Sequence, residues 1–226
     1  MNRDLAIQKI EKDFELMSNL VLEQMQLLDE LFRTEQKERS EEIFKDLGKN
    51  EEKVDRYETQ LDDTIIRTIV LYQPVAGDLR RLFAIYHMTI NLERVADLVM
   101  VITSTYTEFK DAELLKESRS ALLQMLKTTS AMVSRALLSF MNSDQELATR
   151  TIHKERAFDE FNKKVLKRTV KAAGLPKKSQ AVLNKLLDMR SMFSSIERIG
   201  DHATNIAESS IYAISGSNIR HGSKNE

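Results

Sequence analysis

Two five-residue segments decide the fold: ERVAD at residues 93–97 and ERIGD at residues 197–201. They are 104 residues apart (197 − 93), and the same offset relates other acidic positions in the two halves, such as Glu51 and Glu155. Apolar positions follow the same offset, but any two amphipathic helices share some apolar matches. The polar matches discriminate better, and they predict an internal duplication of one structural plan.

Helix-forming residues dominate the 226-residue sequence, which contains only 6 Gly and 2 Pro. Apolar residues recur every three or four positions in long runs, which is the period of amphipathic helices. We therefore predict an all-α fold with two tandem, pseudo-symmetric three-helix bundles. The third helix is predicted to start at about Asp78, and residues 142–144 are predicted to form a capping turn before a helix that continues to Ala173. The predicted units are residues 1–108, residues 109–215 and a disordered tail at residues 216–226.

The charge balance and the cysteine count narrow the class of protein. The 34 basic and 35 acidic side chains give a formal charge of -1, which argues against a nucleic-acid-binding protein that neutralises many phosphates. The absence of Cys excludes disulfides and thiolate metal sites and suits a reducing compartment. Charged residues interrupt the apolar runs, so we expect a cytoplasmic protein that reaches a membrane only through a partner.

Four pairs of carboxylates have members four residues apart, which places both members on one helix face. In ERIGD, the carboxylates lie among small and apolar residues rather than in a solvated charge run. Such a face needs a cation, either a basic side chain in a surface ion pair or a hard metal ion. Spacing alone favours neither the ion pair nor the metal ion. The four pairs are Glu51 with Asp55, Glu93 with Asp97, Glu155 with Asp159, and Glu197 with Asp201.

The common catalytic motifs are missing from the sequence. It contains no Gly-rich phosphate loop, no Gly-x-Ser-x-Gly and no His-Glu-x-x-His. A ferritin-like di-iron oxidase would need Glu-x-x-His, yet none of the four His follows a Glu by three residues. We therefore predict a protein that is not an enzyme. A metal-storage or redox protein and a passive helical scaffold with solvated carboxylates remain as alternatives.

Two longer segments, QPVAGDLR at residues 73–80 and IERIGDHATNIAE at residues 196–208, resemble signatures of the PhoU family. The resemblance covers nearly the whole chain, because the duplicated bundle and both motifs occur in the family's order. It implies a homodimeric cytoplasmic accessory protein of phosphate uptake that represses phosphate-starvation signalling. The implied partners are a sensor histidine kinase and the ATPase subunit of the phosphate transporter.

The resemblance also implies functional residues. Some PhoU proteins carry multinuclear iron or zinc clusters on their acidic motifs, so all eight paired carboxylates are predicted metal ligands, extended by Asn205 and Glu208. The first motif departs from the pattern, because Ala96 stands where the second motif has Gly200. The predicted partner contacts are Gln73, Pro74, Asp78, Arg80, Arg94 and Arg198.

Overall fold

The computed structural model describes residues 2–109, 112–153 and 180–219, and every regular element in these ranges is a helix. The prediction of an all-α fold is therefore confirmed for the described residues. None of these helices contains a stretch apolar enough to cross a lipid bilayer. The helices are α1 (Arg3–Arg33), α2 (Lys37–Tyr72), α3 (Ala76–Glu108), α4 (Ala112–Met141), α5 (helical at residues 145–153) and α6 (Gln180–Ser215).

Local sequence signals set the ends of several helices. The Asn2 side chain caps α1 by accepting a hydrogen bond of 2.9 Å from the backbone N–H of Leu5. Asp144 caps α5 in the same way, with the backbone N–H of Leu147 at 2.9 Å from its Oδ1. The turn at residues 142–144 was predicted as a capping turn, and the structure confirms it.

The turn between α2 and α3 is tight, and two of its residues have unusual backbone angles. Gln73 ends α2 in the left-handed region at φ 44°, and its N–H donates to the Ile69 carbonyl at 3.0 Å. Ala76 has φ 46°, although it carries a Cβ. A left-handed conformation costs such residues roughly 1–2 kcal/mol each. Helix α3 begins at Ala76, two residues before the predicted start at Asp78.

The first three helices pack against one another and form the first bundle. The second half packs on this bundle through two antiparallel contacts, the first between α1 and α4. Phe14 in the first half of α1 meets Phe140 near the end of α4, with ring centroids 5.6 Å apart. Beyond the end of α1, Glu35 accepts a 2.9 Å hydrogen bond from Arg119 in the first half of α4. These contacts lie at opposite ends of the two helices, so α1 and α4 run in opposite directions.

Helices α3 and α6 form the second contact between the halves. Asn91 Oδ1 lies 2.9 Å from His202 Nδ1 and accepts a hydrogen bond from Asn205 Nδ2 at 3.1 Å. Near the start of α3, Arg80 lies beside Gly216, where a Cβ would come within 3.4 Å of Arg80 Nε. Since Gly216 follows the last turn of α6, these helices are also antiparallel.

The same register places Ala96 opposite Gly200, and both residues are buried. Small side chains at this position allow the two helix backbones to approach closely. The difference between Ala96 and Gly200 therefore affects how closely α3 and α6 pack, whereas the sequence had suggested an effect on a metal site.

Parts of the predicted domain plan lie outside the described residues. The helix that was predicted to continue to Ala173 is described only as far as residue 153. In the predicted tail, residues 216–219 are described, and Ile219 packs against the hydrophobic core. The domain limits and the disorder of residues 220–226 stay predictions.

Candidate acidic docking face

A row of four carboxylates runs along α2 at helical spacing. Glu51, Asp55, Glu58 and Asp62 are separated by four, three and four residues, so they lie on one side of the helix. The sequence analysis named only the first two residues. Glu58 and Asp62 follow the same period, and extending the pattern by two turns would have found them.

Helix α3 adds two carboxylates to this row. Asp97 lies close enough to Glu51 on α2 and to Glu93 on α3 for its carboxyl group to raise the pKa of both. We call this set the acidic face; it consists of Glu51, Asp55, Glu58, Asp62, Glu93 and Asp97.

Burial raises the pKa of two members of the acidic face to values near neutrality. It is the main reason why the pKa of Glu51 is about 7, and the negative charges of Asp55 and Asp97 add to the rise. A 2.8 Å hydrogen bond from Gln24 Nε2 to Glu51 Oε2 opposes it. Burial also raises the pKa of Glu93 to about 7, again with a contribution from Asp97. Both carboxyl groups are therefore partly protonated at neutral pH.

Arg94 supplies the ion pairs of the acidic face within the described part of the chain. Its Nε lies 3.4 Å from Glu93 Oε2, and its Nη1 lies 3.1 Å from Asp97 Oδ2. One guanidinium cannot balance six carboxylates. Surface ion pairs are thus present on α3, whereas the acidic-face carboxylates of α2 have no such pair among the described residues.

The acidic face suits a hard metal ion by its chemistry, because its donors are all carboxylate oxygens. Its geometry does not present a ready site. In residues 2–109, 112–153 and 180–219, no three Asp, Glu or His side chains form a group that could hold a metal ion. Iron or zinc binding by this chain remains a prediction.

The second acidic motif is only partly described. Glu155 and Asp159 lie outside the described residues, so their position relative to Glu197 and Asp201 is not described. Asn205, a predicted metal ligand, donates its amide hydrogen to Asn91 on α3. Glu208, the other predicted extension of this motif, is partly buried on α6.

The two arginines of the motifs approach each other at the contact between the halves. Burial lowers the pKa of His202, and the positive charges of Arg198 and Arg94 lower it further. Both guanidinium groups therefore act on the same imidazole, which favours neutral His202. This arrangement places the duplicated ERxxD segments side by side in the folded chain.

The predicted partner contacts in the α2–α3 turn have different environments. Gln73 is exposed, whereas Pro74 is buried. Asp78 lies 3.6 Å from Arg3 Nε, and Arg80 packs against Gly216. Arg80 therefore has a structural contact with the end of α6 that the sequence did not reveal.

Residues 14–104 and 122–210 each match the PhoU domain family. A phosphate-specific transport system accessory protein PhoU homolog from a Burkholderia species is 33% identical over 176 residues, which cover 76% of this chain and 73% of the relative. A PhoU homolog 1 from Methanothermobacter thermautotrophicus is 26% identical over 208 residues, 92% of each chain.

A solved structure confirms the fold. The crystal structure of PhoU from Pseudomonas aeruginosa superposes with a TM-score of 0.81 at 24% identity, over 95% of this chain and 99% of that chain. The prediction of an all-α fold with two tandem helical units is therefore confirmed. With both halves matched by the family's domain, this chain belongs to the PhoU family.

Proposed function

We propose that this chain is an accessory and regulatory protein of phosphate uptake and that it acts by binding partners rather than by catalysis. The observation that carries the proposal is the match of the PhoU domain to both halves of the chain. Relatives from several organisms have names that describe accessory proteins of phosphate-specific transport.

We further propose that the chain is a cytoplasmic homodimer that links the ATPase subunit of the phosphate transporter to a sensor histidine kinase. In this proposal, the chain represses phosphate-starvation signalling when phosphate is plentiful. A bound protein can shift a kinase between two states only if its affinities for those states differ. The acidic face supports a docking role, because its carboxyl groups outnumber the one arginine that pairs with them among the described residues and would attract a basic surface.

A genetic experiment tests the proposed function. In a strain that lacks this chain, we expect a phosphate-starvation reporter to stay active in high phosphate. The wild-type chain should restore repression, and a Glu58→Gln/Asp62→Asn variant should restore it only in part. Glu38→Gln/Glu52→Gln removes the same charge from exposed positions elsewhere on α2 and is the matched control. If the wild-type chain leaves the reporter active, the proposed function is wrong.

Metal binding is a second candidate role of the acidic face. The excess of carboxylates over cations favours it, since a bound iron or zinc ion would offset that negative charge. We propose that Glu51, Glu93 and Asp97 contribute ligands if metal binds, after rearranging from the geometry described here. Elemental analysis of chain purified without chelator tests this, with Glu51→Gln/Asp97→Asn as the variant. Equal metal content in both proteins would contradict the assignment.

A further inference from the structure

The acidic face is continuous with an apolar surface on the same two helices. On α2, Ile66 follows Asp62 by four residues and Val70 follows Ile66 by four. Ile66 is 56% exposed and Val70 is 67% exposed, which is unusual for large apolar side chains. The outer side of α2 therefore changes from acidic in its middle to apolar near its end.

Helix α3 shows the same change in the opposite sequence direction. Phe83, Tyr86, Ile90, Glu93 and Asp97 are separated by three or four residues, so they share one side of the helix. Phe83 is 45% exposed, and Tyr86 and Ile90 are partly buried. The apolar positions come first on α3 and the acidic positions follow.

The two helices are antiparallel, so the acidic part of α2 lies beside the acidic part of α3, and the apolar parts of the two helices also lie together. Glu51 in the middle of α2 lies close enough to Asp97, in the second half of α3, for the Asp97 charge to raise its pKa. Further along α2, Glu58 is close enough to Asp97 and Arg94 for both charges to affect its pKa. The α2 and α3 stripes thus form one surface with an acidic end and an apolar end. From Glu51 to Val70 it is about 28 Å long at 1.5 Å per residue.

One buried atom at the junction of the two ends lacks a hydrogen bond. Asp62 Oδ1 is inaccessible to solvent and has no partner in the described part of the chain. A buried carboxylate oxygen without a donor is unfavourable.

We propose that this surface binds an amphipathic helix of a partner protein that has apolar side chains over one half of its binding face and Lys or Arg over the other half. The apolar half packs on Ile66, Val70 and Phe83, and the basic half faces Glu51, Asp55 and Glu58. A helix of about 19 residues matches the length of the surface. Charge complementarity selects the partner, since six carboxylates share a single paired arginine in the described part of the chain. The inference rests on the proposed adaptor function and specifies the kind of partner segment.

Peptide binding to the full-length chain tests the proposal. The first peptide is a labelled 19-residue helix with Leu segregated to one half of its binding face and Lys to the other. The second has the same composition, with Leu and Lys interleaved along that face. We expect the segregated peptide to bind about tenfold more tightly by fluorescence anisotropy at 150 mM salt, the effect of about 1.4 kcal/mol. Equal affinities would overturn the proposal.

Paired variants locate the binding surface. Glu58→Gln/Asp62→Asn and Ile66→Ala/Val70→Ala should each weaken binding of the segregated peptide about tenfold. The charge control is Glu38→Gln/Glu52→Gln, and the apolar control is Leu138→Ala/Leu187→Ala, which replaces exposed residues of the other half. All four variants should keep wild-type helicity by circular dichroism. If the controls weaken binding as much as the test variants, the peptide binds by general charge or hydrophobicity and the proposal is wrong.

Self-association is the competing outcome. Residues 163–178 of this chain carry seven Lys or Arg and no Asp or Glu, so a second copy could offer the basic partner. If sedimentation velocity shows a dimer that Glu58→Gln/Asp62→Asn dissociates, the surface belongs to a second copy and the proposal fails.

The proposed function can stand or fail separately. If the wild-type chain captures the transporter's ATPase subunit and both test variants capture it equally, the function stands and this inference is wrong. If the wild-type chain captures the subunit and the variants lose it while the controls keep it, both are supported.

Discussion

The raised pKa of the Glu51 carboxyl group leads to a prediction of how the stability of the protein depends on pH. Its pKa is about 7 in the folded protein, against an ordinary value of 4.5. As the pH falls from 8 towards 5, the Glu51 carboxyl group takes up a proton near pH 7 in the folded state. In the unfolded state it takes up this proton only near its ordinary pKa of 4.5. Protonation therefore favours the folded state, and the free energy of unfolding should rise as the pH is lowered through 7.

The magnitude follows from the pKa difference after a correction for solvent. A shift from 4.5 to about 7 would correspond to roughly 3.4 kcal/mol for a fully buried group. Glu51 is only partly buried, so screening by water reduces this to about 1 kcal/mol. For a protein of this size, 1 kcal/mol corresponds to a change in Tm of about 2–4 °C.

Replacing Glu51 by Gln should remove the part of this pH dependence that comes from Glu51, while the part that comes from Glu93, whose pKa is also about 7, should remain. The Gln amide keeps an acceptor for Gln24 Nε2 and adds donors, one of which can reach the buried Gln24 Oε1 that has no hydrogen bond in the described residues. We expect Glu51→Gln to raise the Tm at pH 8 by about 2–4 °C and to leave it nearly unchanged at pH 5.

Thermal unfolding of chelator-treated protein, followed by circular dichroism from pH 5 to 8, is the assay. Glu52→Gln is the control, because Glu52 is the exposed neighbour on the same helix. A wild-type Tm that rises from pH 6 to 8, or a Glu51→Gln variant that is less stable than wild type at pH 8, would refute this account of the acidic face.

Three further predictions concern packing between the halves. Gly200→Leu should lower stability by about 1–3 kcal/mol in urea unfolding, because its side chain would separate α3 from α6; a neutral effect would contradict the proposed register. Asn91→Ala removes the acceptor that faces His202 and Asn205, so a loss of about 1–2 kcal/mol is expected, and an unchanged urea midpoint would mean that water replaces it. Gly216→Ala should lower the Tm by a few degrees, about 1 kcal/mol, because φ is 73° and Arg80 is close; a higher Tm would show that the end of α6 rearranges freely.

The helices themselves were predictable from the sequence. The apolar side chains of α1 recur every three or four residues, and the structure buries them on one side. Such a period depends only on neighbouring positions along the chain, so no tertiary information is needed. The left-handed angle of Ala76 at the start of α3, in contrast, has no marker in its residue type.

The acidic face was predictable in part. Glu51, Asp55, Glu93 and Asp97 were named from spacing on single helices, and the structure brings Glu51 and Asp97 close enough for the charge of Asp97 to raise the pKa of Glu51. Spacing could not show how strongly each carboxyl is buried. That depends on side chains from other helices, such as Gln24 of α1.

The sequence by itself determined the helical class, the duplication and the family to which the chain is similar, because these follow from local periodicity and from the order of motifs. Only the tertiary structure decided how the two halves meet. The contacts of Asn91 with His202 and Asn205, and of Arg80 with Gly216, join residues far apart in the chain. Their physical basis is the fit between whole helix surfaces, which no local pattern of residues contains.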